Sequence, residues 1–466
     1  MNTKSIRLNI TLLAFFLVLL ITISAQADVV DDKIRQLLAE RHIPGAAVAV
    51  IKNGKLIKAQ GYGLASVEFN VPVTKETVFE IGSVSKQLTA AGIMILVEDG
   101  KINLDEKISK YLENTPDSWK NVSVRHLLNH TSGIKSYTGL SGFEQSRRLS
   151  REAFIKALAV HPLDFETNTS YVYSNSGYSL LSHIIEAVSG KTYWEFMRER
   201  IFKPLGMSKA GDRDLKFVIP NRATGYEWQN NGLVGRDYNL TDLSGAGAIV
   251  ATIMDLVKWE AALRNDTLLK KESKIQMWTP ATFNNGKTYP YGFGFRLSDI
   301  RGHKLVAHSG QTAGFGASLS RYVDDDLTVI ALTNLGESGM GTLIAQRIAK
   351  FYIPAISLKA MKAKNDDAKI TQIVKNALLA RMENKISADL FANDLIRPLS
   401  TERAKANNLR IASFGVTKNL IFVGDETTDG KKVYRYKVET PKRIFLWRFA
   451  FDNEGKVSEM TLEEEE

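Results

Sequence analysis

The residues around Asn53-Gly54 constrain the possible folds of this chain more than any other feature of the sequence. Asn-Gly is the dipeptide most typical of a tight β-hairpin turn, and strand-like runs flank it at 46–52 and 55–62. Within the first three-quarters of the chain, comparable runs return only in YGFGFRL (291–297), KLVAH (304–308), ASLSRYV (317–323) and LTVIALTN (327–334). An isolated hairpin is marginally stable at best. We therefore expect both ends of this region to contribute strands to one antiparallel sheet.

The segment between these strands, from about residue 81 to 270, has mainly helical and loop patterns. Helical patterns also precede and follow the strands, in DDKIRQLLAERHIPG (31–45) and GTLIAQRIAKFYI (341–353). The sequence therefore predicts an α+β fold, in which an antiparallel sheet is flanked by helices and a helical lobe is inserted between its strands. We assign residues 28–354 to this domain.

A polar, lysine-rich stretch follows this domain and predicts a linker over residues 355–367. Beyond the linker, helical patterns at 368–384 and about 400–412 precede four strand-like segments. We expect residues 368–466 to form a small α+β domain. Its pattern resembles cystatin-like modules and modules like nuclear transport factor 2, and we assign it no chemistry.

Charge and composition exclude several classes of protein. The formal net charge is +10, but the Lys and Arg residues are scattered along the sequence. Scattered charges are typical of a solvated surface rather than of a basic binding patch, so we expect no nucleic-acid partner. The chain contains no cysteine. This excludes disulfide bonds, a thiol nucleophile and cysteine-ligated zinc.

The N-terminal residues have the pattern of a secretory signal peptide. Lys4 and Arg7 precede the apolar run Leu12 to Ile21, and Ser24-Ala25-Gln26-Ala27 supplies a small-x-small cleavage pattern. The apolar run is short for a membrane-spanning helix, and no later segment has a membrane-spanning pattern. We predict a signal peptide over residues 1–27, cleavage after Ala27, and a periplasmic or secreted mature protein.

The stretch EIGSVSKQLTAAGIMIL (80–96) raises the question of catalysis. Ser83 and Lys86 lie three residues apart at the start of an apolar helical pattern, so they would share a helix face. The pair could be an activated nucleophile with its base. Alternatively, a serine could only cap the helix, with the lysine exposed. A second Ser-x-x-Lys, Ser132 to Lys135, contains a glycine in a loop-like stretch and is less suited to a fixed geometry.

Two further motifs follow in the sequence. Tyr173-Ser174-Asn175 precedes a helical pattern, and a tyrosine beside cations could lose its proton more readily than the reference pKa of about 10 implies. His308-Ser309-Gly310 ends the predicted strand 304–308, where backbone N–H groups could meet a substrate and Gly310 would allow its close approach. Taken singly, Tyr173-Ser174-Asn175 is better explained as a buried aromatic with a turn asparagine, and His308 as a hydrogen-bonded imidazole at a strand end.

The three motifs in this order resemble the serine β-lactamase and penicillin-recognising hydrolase family, whose signature begins with Ser-x-x-Lys. Two further stretches, HLLNHTSGI (126–134) and SGAGAIVATIMDLVKW (244–259), are similar to the family's His-Thr-Ser-Gly turn and to its glycine-rich loop entering a helix. In the second, Thr252 and Asp255 are spaced as a capping pair. The resemblance covers roughly residues 30–353.

The resemblance implies a role for each matching residue. Ser83 would be the nucleophile that accepts the acyl group, Lys86 its proton partner, Tyr173 a second base, and Asn175 the amide that orients the substrate and Lys86. The backbone N–H groups of Ser83 and Gln311 would form the oxyanion hole. The implied reaction is attack on an amide or ester carbonyl, an acyl-serine intermediate and hydrolysis by water, with no cofactor.

Two departures from the family pattern narrow the expectation. The middle motif is Tyr-Ser-Asn rather than the Ser-Asp-Asn of class A β-lactamases. His308 stands where class C enzymes have lysine, and we expect it to be only partly charged near neutral pH. The resemblance therefore favours the D,D-peptidase, D-aminopeptidase and esterase branch, with short D-amino-acid peptides, small esters or β-lactams as substrates. The alternative is a penicillin-recognising sensor that is acylated without turnover.

The sequence has no pattern that predicts a metal site or identifies the residues of the substrate pocket. His126 and His130 have the i, i+4 spacing of zinc ligands, but the glutamate of a zinc-protease helix and a third ligand are missing, so we expect no metal site. The pocket walls would come from loops within 135–170 and 210–245.

Overall fold

The computed structural model describes residues 29–141, 149–214, 216–237, 241–428 and 431–466. The chain divides into two compact units, Met1–Tyr352 and Ile353–Glu466. The predicted signal peptide, residues 1–27, lies outside the described residues. In the part of the chain that is described, every helix is too short or too polar to span a membrane.

The first unit contains both helices and strands in the order that the sequence suggests. Its helices are α1 (29–40), α2 (Ser85–Glu98), α3 (Val124–Leu128), α4 (Arg151–Ala159), α5 (Asn175–Ser189), α6 (Tyr193–Met197), α7 (Ile253–Arg264), α8 (Lys271–Met277) and α9 (Met340–Tyr352). Its strands are β1 (Gly45–Lys52), β2 (Lys55–Ser66), β3 (Val71–Pro72), β4 (Val78–Glu80), β5 (Gly211–Asp212), β6 (Gly225–Gln229), β7 (Gly232–Arg236), β8 (Ile249–Thr252), β9 (Ala281–Thr282), β10 (Thr288–Tyr289), β11 (Arg296–Ile300), β12 (His303–Thr312), β13 (Phe315–Tyr322) and β14 (Leu327–Thr333).

The main sheet joins strands from both ends of this unit. Its seven strands run in the order β11-β12-β13-β14-β1-β2-β3, with antiparallel neighbours. The turn between β1 and β2 has positive φ angles at Asn53 (50°) and Gly54 (71°), as a tight hairpin requires. β1 pairs with β14 from Ala46 opposite Thr333 to Lys52 opposite Leu327. The predicted α+β fold with one sheet built from both ends is confirmed.

The inserted segment is not purely helical. β4, β8 and β5 form a separate three-stranded sheet, and β6 pairs with β7. β4 leads into a short 3-10 turn, Gly82–Val84, and then directly into α2. The Ser83 turn therefore lies between β4 of the small sheet and α2, and it packs against β12 of the main sheet. β4 and α2 are therefore the elements that hold Ser83.

One predicted strand is wrong in a way that matters for the site. Residues 291–295 of the stretch 291–297 form a turn instead, and β11 begins only at Arg296. Gly294 has a φ of 77°, and a Cβ there would lie 2.7 Å from the Lys86 carbonyl oxygen. A strand is therefore excluded because the segment bends to pack closely on the first turn of α2, and the bend buries Tyr291.

The second unit has its own core. Its helices are α10 (Ala368–Met382), α11 (Asn393–Leu399) and α12 (Glu402–Ala412), and its strands are β15 (Asn419–Thr428), β16 (Lys431–Glu439), β17 (Ile444–Phe451) and β18 (Val457–Glu465). The four strands form an antiparallel sheet in sequence order. Buried aromatic residues of the sheet, among them Tyr436, Trp447 and Phe449, pack with Val374 and Leu378 of α10. These residues give the unit a hydrophobic core separate from that of the first unit.

Candidate active site

Ser83 and Lys86 lie in contact at the start of α2. The Nζ atom of Lys86 is 3.0 Å from Oγ of Ser83, and Lys86 is fully buried. Ser85 does not cap the helix, because its Oγ accepts a hydrogen bond from the Ile249 N–H at 3.2 Å. The alternative of a capping serine beside an exposed lysine is therefore wrong.

The surroundings of Lys86 favour its neutral form. Burial lowers its pKa well below the usual value for lysine, and the positive charge of Arg296 adds to the effect. Nζ also lies 2.7 Å from Oδ1 of Asn175 and 2.7 Å from the Ala246 carbonyl oxygen. A neutral amine has two N–H donors and one lone pair. The two oxygens accept the N–H groups, so the lone pair is left to accept the Ser83 proton.

Tyr173 lies beside Lys86. Its ring centroid is 4.8 Å from Nζ, and its hydroxyl is buried without a hydrogen-bond partner among the described residues. Burial raises the pKa of Tyr173 above its usual value, and the interaction with the Ser83 hydroxyl offsets only part of this rise. The direction is opposite to the one expected from the sequence. Because burial outweighs the positive charge of Arg296, Tyr173 keeps its proton and is suited to donate it.

His308 is an uncharged part of the site. It is 2% exposed on β12, with Nε2 2.9 Å from the Tyr291 hydroxyl and Nδ1 2.6 Å from the Ser309 carbonyl oxygen. Burial lowers the pKa of His308 to about 3, with smaller contributions from Lys86 and Arg296. The expected partial charge near neutral pH is therefore wrong, because the imidazole is removed from water and neither contact requires a second proton.

Arg296 supplies the cation that sequence reasoning missed. It is an exposed residue at the start of β11, and its guanidinium carbon lies 5.8 Å from the Tyr173 ring centroid. The Arg296 side chain forms no hydrogen bond or ion pair with the residues that the structure describes. No motif marks this position. Only the pairing of Arg296 with Ala307, the neighbour of His308, would have pointed to it.

Gly310 brings β12 against the Ser83 turn. A Cβ atom on Gly310 would lie 1.9 Å from the Ile81 carbonyl oxygen and 3.1 Å from the Ser83 nitrogen, so any other residue would force the two segments apart. Gly82 has a φ of 50°, and a Cβ there would lie 2.6 Å from the Gln311 nitrogen. Two glycines therefore place the Ser83 and Gln311 backbones side by side, as the predicted oxyanion hole requires.

The register of β12 determines where the backbone groups at its C-terminal end point. The Lys304 carbonyl accepts from the Val323 N–H at 2.9 Å, so even-numbered residues of β12 direct their backbone groups at β13. Ser309 and Gln311 direct theirs at the opposite edge. β11 does not reach that far, since its first residue pairs with Ala307. The Gln311 N–H is therefore available to an oxyanion beside Ser83.

The second Ser-x-x-Lys is not a catalytic pair. Lys135 forms an ion pair with Asp164, and the Ser132 hydroxyl accepts from a backbone N–H in its own loop at 3.2 Å. The loop has a supporting role instead. Ser136 Oγ accepts from the Asn175 N–H at 3.1 Å, which fixes the start of α5 where Asn175 meets Lys86.

His126 and His130 make separate contacts. Nδ1 of His126 accepts from the Ser123 N–H at 3.2 Å in the capping box of α3. Nδ1 of His130 accepts from the Ser174 N–H at 3.2 Å, and its Nε2 lies 3.2 Å from the Tyr291 hydroxyl. Among the described residues, no group of three or more His, Asp or Glu side chains is arranged to hold a metal ion.

The glycine-rich loop before α7 contributes through its backbone. Its Ala246 carbonyl is one of the two acceptors for Lys86. The predicted capping pair is confirmed, because Thr252 Oγ1 accepts from the Asp255 N–H at 3.0 Å while the Asp255 carboxylate accepts from the Thr252 N–H at 3.1 Å. Parts of the predicted pocket walls, residues 142–148, 215 and 238–240, lie outside the described residues.

Comparisons with known proteins agree with this geometry. The β-lactamase family model matches residues 30–352. Penicillin-binding protein 4* of Bacillus subtilis is 32% identical over 319 residues, which cover 64% of this chain and 70% of that protein. A D-aminopeptidase of Brucella anthropi is 29% identical over 341 residues, which cover 70% of this chain. The structure of D-amino acid amidase from Ochrobactrum anthropi superimposes with a TM-score of 0.61 and 27% identity, covering 70% of this chain and 98% of the amidase.

The matches differ in how much of each relative they include. The chain spans 64% of the length of the Brucella anthropi D-aminopeptidase, less than two thirds. The family match nevertheless includes every residue of the three motifs, from Ser83 to Gln311. The chain belongs to the β-lactamase family and is one of its serine hydrolases.

Proposed function

We propose that this protein hydrolyses amide bonds in short peptides that contain D-amino acids, through an acyl-Ser83 intermediate. The observation that carries the proposal is the buried contact of Lys86 Nζ with Ser83 Oγ at 3.0 Å, in which two carbonyl oxygens occupy the N–H donors of the amine. The names of two relatives, a D-aminopeptidase and a D-amino acid amidase, support D-configured substrates.

The first half of the reaction follows from the positions of four groups. Neutral Lys86 accepts the proton of the Ser83 hydroxyl while Oγ attacks the substrate carbonyl carbon. The N–H groups of Ser83 and Gln311 stabilise the oxyanion that forms. The carbon–nitrogen bond then breaks, and Tyr173 donates its proton to the departing amine. The Lys86 ammonium returns the proton to Tyr173, which leaves acyl-Ser83 and a neutral lysine.

Hydrolysis of the ester repeats these steps with water as the nucleophile. A water molecule attacks the acyl carbon and loses a proton to the neutral Lys86–Tyr173 pair. The Ser83–acyl bond breaks, Ser83 recovers its proton, and the product leaves as a carboxylic acid. No step needs a cofactor, since the lysine and tyrosine transfer every proton.

Arg296 supports a preference for substrates that carry a carboxylate. Its exposed guanidinium lies beside Tyr173 without an ionic partner among the described residues. Its positive charge lowers the pKa of both Lys86 and His308, so it acts at the catalytic residues. A cationic site without a nearby carboxylate attracts an anionic group and repels an ammonium. We therefore favour peptides with a free C-terminal carboxylate over D-aminoacyl amides with a free amine.

A substrate panel tests the proposal. Purified protein is incubated with an N-acylated D-alanyl-D-alanine peptide, its C-terminal amide, D-phenylalanine amide, a short ester and a cephalosporin. We expect turnover of the free-carboxylate peptide to exceed that of its amide. In Arg296→Gln the two should become similar, while the ester rate should hardly change. A stable, stoichiometric acyl-protein without product would instead favour the sensor role, and labelling of Ser83→Ala by a fluorophosphonate would exclude Ser83 as the nucleophile.

We also propose that the protein works outside the cytoplasm. The basic residues, apolar run and small-x-small pattern of residues 1–27 support export with cleavage after Ala27. Expression of the full chain in a bacterial host, cell fractionation and mass spectrometry of the N-terminus test this. A cytoplasmic protein that retains Met1 or residues 2–27 would contradict it.

A further inference from the structure

Tyr291 connects two of the sequence motifs through its hydroxyl. The hydroxyl oxygen lies 3.2 Å from Nε2 of His130 and 2.9 Å from Nε2 of His308. All three side chains are buried, with exposures of 1%, 0% and 2% for His130, Tyr291 and His308. None of the steps proposed above uses Tyr291 or His130. A buried network of hydrogen-bonded side chains carries a large free-energy penalty if any member lacks a partner.

The backbone partners of the two histidines determine which atom donates in each hydrogen bond of this network. Nδ1 of His130 accepts from the Ser174 N–H at 3.2 Å, so the proton of this imidazole is on Nε2 and donates to Tyr291. Nδ1 of His308 lies 2.6 Å from the Ser309 carbonyl oxygen, which is only an acceptor, so the proton of His308 is on Nδ1. Its Nε2 therefore accepts from the Tyr291 hydroxyl.

The last hydrogen bond of the network, from His308 to the Ser309 carbonyl, lies beyond the point where β11 stops pairing with β12. Ser309 directs its carbonyl at the edge that β11 leaves uncovered, because β11 begins opposite Ala307. The His308 imidazole occupies that carbonyl in place of a strand. Two residues further on, the Gln311 N–H faces the same edge beside Ser83. A carbonyl held by His308 cannot compete for the substrate, and the strand end is fixed at the point where the oxyanion forms.

We propose that Tyr291 is a positioning residue that holds His308 in the neutral Nδ1–H tautomer, and through it fixes the Ser309–Gln311 edge for transition-state binding. Tyr291 touches neither Ser83 nor Lys86 in any described hydrogen bond, so it acts through His308. The inference rests on the proposed hydrolase function for its kinetic consequence. Its structural claim, the two opposite tautomers, is independent of any activity.

The first experiment reads the tautomers in the wild-type protein. The chain has only seven histidines, so histidine-selective ¹⁵N labelling with two-bond ¹H–¹⁵N correlation gives a tractable spectrum, in which His130→Asn and His308→Asn assign the two signals. We expect an Nε2–H tautomer at His130 and an Nδ1–H tautomer at His308. The reverse tautomer at either residue, or a protonated imidazole at pH 7, would overturn the proposal without any need for substrate.

The second experiment removes the hydroxyl. Tyr291→Phe should move the His308 signal toward a mixture of tautomers and lower kcat about tenfold, the equivalent of one lost buried hydrogen bond, with KM changed less than twofold. Tyr62→Phe is the matched control, because Tyr62 is also buried and its hydroxyl donates to Asp31 at 2.6 Å. It should leave kcat and both tautomers unchanged. Wild-type tautomer signals in Tyr291→Phe would refute the positioning role even if activity fell.

A double-mutant cycle separates positioning from general damage to the site. Asparagine places its amide N–H near the position of Nδ1, so His308→Asn can still donate to the Ser309 carbonyl without help from Tyr291. Adding Tyr291→Phe to His308→Asn should therefore cost less than twofold further in kcat. Full additivity of the two losses would contradict action through His308. Should all substrates fail while the tautomers are as expected, the hydrolase proposal falls and the positioning geometry stands.

Discussion

The Asn175→Asp substitution tests whether Lys86 acts as a neutral base. It keeps the Oδ1 acceptor 2.7 Å from Nζ but adds a negative charge. At an effective dielectric constant of about 20, two charges at this distance attract by about 6 kcal/mol. Loss of carboxylate solvation opposes this by an amount of the same order. A net gain of about 3 kcal/mol would raise the pKa of Lys86 by about two units.

The sign of the effect follows from the role of Lys86. The base is active only without its proton, so a higher pKa moves the acidic limb of the activity profile to higher pH. The assay is the second-order rate constant for fluorophosphonate labelling of Ser83 from pH 5 to 10, which needs no knowledge of the substrate. We expect the limb to shift upward by about two pH units. At pH values below both limbs the rate should then be about a hundredfold lower than in the wild type.

The control uses another asparagine in the same unit. Asn285 is exposed, and its Oδ1 accepts from the Lys287 N–H at 3.0 Å, so Asn285→Asp adds the same charge away from Lys86. Its labelling profile should match that of the wild type. If Asn175→Asp lowered the rate equally at all pH values, with no displaced limb, Lys86 would not be the titrating base.

Three further changes have defined outcomes. Lys86→Met should reduce labelling of Ser83 by at least about a thousandfold. It should nevertheless raise the free energy of unfolding at pH 7 by about 1–3 kcal/mol, because the buried amine of the wild type must lose its proton when the protein folds. A variant that is less stable in urea denaturation would contradict this. Gly310→Ala should abolish labelling and destabilise the first unit by about 2–4 kcal/mol, because its Cβ would lie 1.9 Å from the Ile81 oxygen; wild-type labelling would show that the backbones can separate freely. Arg296→Gln should lower kcat/KM for a free-carboxylate peptide about tenfold or more and for the matching amide less than twofold, and an equal loss for both would exclude a role in substrate recognition.

The sequence predicted the sheet because its two halves carry strong local signals. Asn53-Gly54 specifies a tight turn, and the strand-like runs of β13 and β14 are buried throughout. The segment 291–295 was wrongly predicted because its aromatic alternation is strand-like. The deciding fact was a tertiary one, the packing of Gly294 on the Lys86 carbonyl. A contact between segments about two hundred residues apart leaves no local pattern.

The site was predicted in part for the same reason. Ser83, Lys86, Tyr173 and Asn175 occur in short motifs, and the structure brings all four together. Their protonation states depend on burial and could not be read from residue type. Burial keeps the proton on Tyr173, although nearby positive charge suggests an easier loss, and it keeps charge off His308, although the reference pKa of histidine suggests partial charge. Arg296 belongs to no motif, and only the pairing of β11 with β12 places it near Tyr173.

The partners of Lys86 have a consequence for how reactivity arises during folding. Asn175 and Ala246 are separated from Lys86 by 89 and 160 positions in the chain. Contacts at such separation require most of the unit to be in place, and they form slowly compared with local turns. Until then Lys86 is solvated and protonated, and Ser83 is an ordinary alcohol. An unfolded chain therefore carries no reactive nucleophile, and the appearance of fluorophosphonate labelling during refolding would time the last step of assembly.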